Sequence, residues 1–129
     1  MLGQITAFYA SLLGLLLIFL SVRIIRQRLN KRIGIGDNGD SDIARAIRVQ
    51  ANLVEYAPIA LLLLFFCETN GMDPRLVHTF GIVLVIARIA HATGLNNSAG
   101  TTKARVFGTL GTFLIMSILS IINIVGFIV

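Results

Sequence analysis

The first 22 residues of the chain carry no charged side chain, and the apolar run over residues 2–22 is long enough to cross a bilayer. No basic residue precedes the run and no small-residue cleavage site follows it, so we expect a retained membrane span rather than a signal peptide. This segment constrains the whole fold, because a helix in hydrocarbon satisfies its backbone internally and packs against other helices.

The composition extends this prediction to the full length. Of the 129 residues, 56% are hydrophobic and only 13% are charged, whereas a soluble domain carries about 25% charged residues. The mean hydropathy is +0.86. We therefore predict a single all-α domain, an integral membrane up-down four-helix bundle, with spans at about residues 2–28, 42–69, 74–95 and 101–127.

The basic residues predict an orientation rather than a nucleic-acid surface. The net charge is +5, but five of the eleven cations directly follow the first apolar run: Arg23, Arg26, Arg28, Lys31 and Arg32. Such a cluster is typical of a cytoplasmic flank. The third connection is also basic, whereas the second, at residues 68–75, has two acids and one base. We expect connections one and three in the cytoplasm, both termini on the opposite side, and no nucleic-acid partner.

A row of polar residues interrupts the apolar pattern in the second predicted span. Arg45, Arg48, Asn52 and Glu55 follow one another at spacings of 3, 4 and 3, which places them on one helix face. Twelve largely apolar residues, 56–67, come next. Polar groups at membrane depth are costly unless they are paired, so this row predicts a functional pocket. A structural Arg–Glu pair is the alternative for Glu55, and Arg45, at the membrane surface, is interpreted as a solvated flank.

Further polar residues of the other spans are expected in the same leaflet. They end the first span, lie near the end of the third, and begin the fourth: Arg26, Arg28, Arg88, His91 and Arg105. Several guanidinium groups with one acid would hold a ligand that bears carboxylates and an amine. A packing hydrogen bond is the alternative for His91, and an interfacial anchor is the alternative for Arg105.

The remaining residue types predict little chemistry. One cysteine and two distant histidines do not build a metal site, so we expect no metal, and Cys67 is interpreted as a packing residue. Gly108, Gly111 and Thr112 in the fourth span predict a close helix contact, within a subunit or between subunits. A small multidrug exporter is disfavoured, because the first span lacks the acid that would bind a cation.

The motifs together resemble a known family. RxxRVQANLVEYAP in span two, the RIGIGDNGD connection, ARIAHATGL at the end of span three, and Arg105 are similar to MAPEG proteins, the membrane-associated proteins in eicosanoid and glutathione metabolism. The resemblance covers nearly the whole chain and implies a bacterial member in the inner membrane. It also implies a homotrimer whose sites lie between subunits on the cytoplasmic side.

The resemblance assigns roles to individual residues. It implies that Arg48, Asn52 and Glu55 hold glutathione, that Tyr56 adjoins the pocket, and that His91 lines it. Either Arg26 or Arg28 would contribute from the first span. Arg105 would stabilise the glutathione thiolate.

The function implied is that of a glutathione-dependent transferase or peroxidase, with glutathione as co-substrate and a lipophilic electrophile or hydroperoxide as substrate. Where many members have a tyrosine shortly after the His91 position, this chain has Thr93 and Leu95. This departure favours an alternative, a non-catalytic scaffold of the same fold that binds lipid or thiol.

Overall fold

A computed structural model describes residues 2–97, 100 and 102–129. It contains four helices: α1 (Gln4–Lys31), α2 (Ser41–Thr69), α3 (Pro74–Asn97) and α4 (Lys103–Ile128). All four have segments long and apolar enough to cross a membrane, the segment in α3 being Pro74–Gly94. The predicted all-α four-helix membrane bundle is confirmed. Of the predicted turn at 96–100, residues 98 and 99 lie outside the described residues, and α3 continues to Asn97.

Side chains and backbone turns define the helix ends that surround the first connection. Arg32 closes α1 in the left-handed conformation, with φ of 54°. Asp40 caps α2 by accepting from the backbone N–H groups of Asp42 and Ile43, each at 3.0 Å. The Lys31 ammonium, hydrogen-bonded to Asp40, helps to hold the pKa of that carboxyl below its ordinary value of 3.8.

The order of packing makes α2 and α3 the central helices. Each of them contacts the three other helices, whereas α1 and α4 do not contact each other through the part of the chain that is described. The core between them is aliphatic and includes Leu20, Leu53, Leu64, Leu84 and Leu119. Large apolar side chains also cover the outside, with Ile18, Phe19 and Leu114 more than 60% exposed. A surface of this kind belongs in a lipid bilayer.

Glycine allows α3 and α4 to approach closely at the end of the bundle that holds the predicted site. A Cβ atom at Gly108 would lie 2.5 Å from the Ala87 carbonyl oxygen and 2.7 Å from His91 Cβ. Both Gly108 and Thr112 are buried against α3. The predicted small-residue contact is therefore made within one subunit, where backbone proximity in lipid favours helix association.

At the opposite end of the bundle, a carboxylate from α2 caps α1. Glu68 accepts from the backbone N–H groups of Ile5 at 3.0 Å and Thr6 at 2.8 Å. Gly3, the N-cap residue, has no side chain that could do so. Close by, the Tyr9 hydroxyl forms a 2.9 Å hydrogen bond with His78 Nδ1. These contacts tie the beginning of α1 to the end of α2 and the first turns of α3.

Candidate glutathione site

The outward face of α2 carries a bidentate ion pair. Arg48 Nη1 and Nη2 donate to Glu55 Oε1 and Oε2 at 3.1 and 3.0 Å. The residues are seven apart, or two helical turns, so the extended arginine side chain runs along the helix to reach the carboxylate. The side chains are 54% and 44% exposed in the single chain. This pair therefore lies open on the surface of the protomer.

Asn52, one turn from each partner of the ion pair, is held from the inside of the bundle. Its Oδ1 atom accepts from Arg88 Nη2. Arg88 is 2% exposed, and its Nη1 donates to Thr112 Oγ1 at 3.3 Å. Thr112 in turn donates to the Gly108 carbonyl at 2.7 Å. A chain of hydrogen bonds thus runs from α2 through α3 to α4.

His91 lies one turn beyond Arg88 on the same face of α3. It is also 2% exposed, and its Nδ1 atom has no hydrogen-bond partner among the residues described. Gly108 of α4 packs directly against His91, and no larger residue would fit at position 108 beside the His91 Cβ atom. Packing thus fixes the ring position between α3 and α4.

Tyr56 lies where α2 faces α4. Its ring contacts Phe113 edge to face, with 5.3 Å between centroids and 63° between planes. This geometry suits the aromatic quadrupoles and limits the orientations of the tyrosine ring. Tyr56 is half-buried and follows Glu55 directly. It therefore borders the ion pair on the α4 side.

Arg105 lies in the first turn of α4, beside the last turns of α3. Its backbone N–H donates to the Thr102 side chain at 3.2 Å, and its Nη1 atom lies 3.5 Å from the Gly100 carbonyl. A Cβ atom at Gly94 would lie 2.6 Å from the Arg105 backbone nitrogen. The end of α3 and the start of α4 are therefore in direct contact at this arginine.

The two first-helix arginines lie apart from each other. Residues two positions apart on a helix point in directions that differ by about 200°. Arg26 lines a groove of α1 residues that include Phe19 and Val22, whereas Arg28 lines another groove with Arg32. Both grooves are built from α1 and the following connection alone. Within one chain, neither groove includes a residue of the α2 site.

Comparison with known proteins assigns this arrangement to a family. Residues 6–125 match the MAPEG family. The chain belongs to the MAPEG family. It is also 42% identical over 94 residues to the inner membrane protein YecN of Escherichia coli strain K12 and to YecN of E. coli O6:H1 strain CFT073; the matches cover 73% of this chain and 72% of each relative.

The structure of this MAPEG protein divides the predicted site residues into two groups. Arg48 and Glu55 lie open on the outward face of α2, while Asn52, Arg88 and His91 lie inside the bundle or at its edge. The sequence placed Asn52 on the same face as the ion pair, and the structure turns its oxygen toward α3. Ligand contact by all of these residues stays a prediction.

Sequence reasoning missed two parts of the candidate site. Thr112 was noted only as a small residue, although its hydroxyl accepts from Arg88. Phe113, which contacts Tyr56, was not singled out because a phenylalanine in an apolar span carries no distinguishing signal. In the described part of the chain, no three His, Cys, Asp or Glu side chains are grouped as a metal site.

Proposed function

We propose that this MAPEG protein is a glutathione-dependent membrane transferase or peroxidase that presents a glutathione thiolate to lipophilic substrates. The observation that supports this most directly is the open ion pair between Arg48 and Glu55. An ion pair on a membrane helix is costly where it faces hydrocarbon. Its position therefore favours a face that a charged ligand or a neighbouring subunit covers.

Arg48 and Glu55 can each exchange the other for an oppositely charged group of a zwitterionic ligand. Glutathione carries two carboxylates and one ammonium. On binding, Arg48 would turn from Glu55 to a ligand carboxylate, and Glu55 would accept from the ligand ammonium. Each protein charge keeps an opposite charge beside it throughout, so no unpaired charge is left in a region of low dielectric.

Asn52 and the buried Arg88 would position the ligand from the side of the bundle interior. Because Asn52 Oδ1 accepts from Arg88, the Asn52 amide nitrogen is left to donate to the ligand. Arg88 is held by Thr112 as well, which fixes the amide through two other helices. We assign Arg88 to this positioning role and His91 to the wall of the pocket.

Arg105 would supply the electrostatic part of the reaction. A free thiol has a pKa of about 8.5, and a neighbouring guanidinium raises the thiolate fraction at neutral pH. In conjugation, the thiolate forms a carbon–sulfur bond and the electrophile loses its leaving group with the bonding electrons. In peroxide reduction, the thiolate attacks one peroxide oxygen and forms a sulfur–oxygen bond while the oxygen–oxygen bond breaks; the alkoxide leaves and takes up a proton. A second glutathione then reduces the resulting sulfenic acid, which yields the disulfide and water.

We further propose a homotrimer with this site between subunits, in a bacterial inner membrane with both termini outside the cytoplasm. A neighbouring subunit would cover the outward face of α2 and supply a first-helix arginine, Arg26 or Arg28. The lipophilic substrate would enter from the bilayer beside Tyr56. The inner-membrane relatives and the apolar outer surface support this placement.

Calorimetric titration of the detergent-purified protein with glutathione tests the site. We expect binding by the wild type, and a loss of about tenfold or more in affinity for Arg48→Gln and for Glu55→Gln, since each removes a charge-assisted contact. Arg45→Gln is the matched control, because Arg45 lies on the same helix but pairs with Asp42 at 2.6 Å. A silent titration of the wild type would contradict the proposal.

One observation favours the second candidate function, a scaffold that binds lipid or thiol without turnover. The Thr93 hydroxyl donates to the carbonyls of Ile89 and Ala90, at 3.1 and 3.0 Å, so it is engaged by its own helix. It is thus a poor substitute for a tyrosine hydroxyl that would orient the thiol. Glutathione binding without turnover of a chlorinated aromatic would support this candidate.

A further inference from the structure

A groove at the end of α1 contains two arginines, of which the proposed glutathione site would use at most one, Arg28. It has a volume of about 510 Å³ and is lined by Ile25, Arg28, Leu29, Arg32, Ile33 and Gly34. We propose that this groove, the α1 groove, binds the phosphodiester headgroup of an anionic phospholipid. Arg28 and Arg32 would contact the phosphate, and an acyl chain would lie against Ile25 and Leu29.

The charges of the α1 groove are uncompensated, unlike those of Lys31 and Arg45 on the neighbouring side of α1. There, Lys31 pairs with Asp40 at 2.5 Å and Asp42 at 3.7 Å, and Arg45 pairs with Asp42. Neither Arg28 nor Arg32 forms an ion pair with any described residue. Two guanidinium groups at one concavity attract an anion, and phosphate accepts from both in fork geometry.

One further detail of these arginines favours a bound anion. Arg32 adopts a φ of 54°, a conformation in which glycine is the common residue at a helix end. Arginine is strained in this conformation, and its presence instead of glycine places a guanidinium group at the groove.

The helix end itself does not repel the anion strongly. The Arg28 carbonyl accepts from the Ile33 backbone N–H at 2.9 Å, and the Leu29 carbonyl accepts from that of Arg32 at 3.3 Å. These bonds satisfy two of the carbonyls that a helix C-terminus otherwise leaves open. The charged donors at the groove are the guanidinium groups of Arg28 and Arg32.

Apolar side chains beside the arginines distinguish a lipid from a soluble phosphate. Ile25 is 55% exposed, Leu29 is 72% exposed, and Ile35 in the following connection is 88% exposed. Apolar groups next to a basic cluster are typical of protein surfaces at the boundary between headgroups and acyl chains. Inorganic phosphate would leave these side chains uncovered, whereas a phospholipid covers them.

The test is lipid retention by the purified full chain, measured by native mass spectrometry from micelles that contain phosphatidylglycerol and phosphatidylcholine. We expect phosphatidylglycerol to be preferred. In Arg28→Gln/Arg32→Gln, we expect the preference to fall by about 25-fold, since a basic residue at a membrane surface contributes about fivefold. The matched control, Arg23→Gln/Arg45→Gln, removes two positive charges from the same end of the bundle and keeps the preference.

A second variant keeps the test informative if the double variant does not fold. Arg32→Gly retains the left-handed turn and removes one guanidinium, so we expect an intact helix end with about fivefold weaker preference. Equal losses in the control would overturn the proposal, because they would reflect net charge alone. Thermal protection by inorganic phosphate equal to that by phosphatidylglycerol would overturn the lipid assignment. Displacement of the lipid by glutathione would assign Arg28 to the thiol ligand instead and would also overturn it.

Discussion

The Glu68 carboxylate accepts the backbone N–H of Thr6 at 2.8 Å, so an acid from the end of α2 caps the beginning of α1. Glu68→Ala removes this contact and the one to Ile5. We expect a loss of about 1–2 kcal/mol of unfolding free energy, as for other helix caps, and a smaller loss for Glu68→Gln. Thermal unfolding in detergent and amide exchange at Ile5 and Thr6 measure it. Unchanged exchange in the alanine variant would contradict the cap.

The contact between Asn52 and Arg88 predicts a difference between two substitutions of Asn52. Asn52→Ala leaves the buried guanidinium with only Thr112 as a side-chain acceptor among the described residues, so we expect a destabilisation of about 2–3 kcal/mol. Asn52→Asp keeps an acceptor and adds a charge opposite to that of Arg88. Its thermal midpoint should stay much closer to that of the wild type. Equal midpoints for both variants would show that Arg88 is held by other contacts.

Close packing at Gly108 predicts that one added methyl group disturbs the site. Gly108→Ala would force the α4 backbone away from Ala87 and His91, at a cost of about 1–3 kcal/mol. Glutathione binding should weaken as well, because His91 moves with α3. Gly126→Ala is the control, because no atom of the described part of the chain lies within 4 Å of its Cβ position. Thermal melting and calorimetry of Gly108→Ala and Gly126→Ala test this prediction. Equal melting temperatures of the two variants would contradict it.

Thiolate stabilisation by Arg105 predicts a pH-dependent defect. We expect Arg105→Ala to lose about tenfold or more of its turnover of a chlorinated aromatic at pH 7, since one pKa unit of the bound thiol corresponds to a tenfold change in thiolate. The variant should recover as the pH rises toward the pKa of free glutathione. Arg105→Lys keeps a positive charge and should lose less. A uniform defect at all pH values would indicate a positional role.

The cap of α2 predicts acid sensitivity. Because the folded-state pKa of Asp40 is lowered from 3.8, its contribution to stability is fully present above that value and is lost as the pH falls through the folded pKa. Asp40→Asn keeps an oxygen that can cap Asp42 and Ile43 but does not titrate. Its thermal midpoint should therefore depend less on pH below 4 than that of the wild type. Parallel acid profiles would exclude Asp40 as the titrating group.

The fold could be predicted from the sequence because it follows from the local pattern of apolar and polar residues. Long apolar runs separated by polar turns predict four membrane helices without knowledge of any long-range contact. The spacing of Arg48 and Glu55 likewise predicts a shared face, and the ion pair between them lies within a single helix.

The interior of the site could be predicted less well, because it depends on which faces the packed helices turn toward one another. Asn52 lies at the edge of the α2 face, and only the packing of α3 decides that its oxygen meets Arg88. The acceptor role of Thr112 needs a third helix in place. Glu68 was predicted to be part of a polar connection, and its capping contacts lie more than 60 positions away in the chain.

The absence of direct contact between α1 and α4, within the residues described, makes the two outer helices independent in energetic terms. Substitutions of lipid-facing residues on one are expected to add to those on the other, since coupling within one chain must pass through α2 or α3. The lipid-facing residues of α1 can therefore change to suit membranes that differ in thickness or in lipid headgroup. The first turn of α4 and Arg105 are not disturbed by such changes.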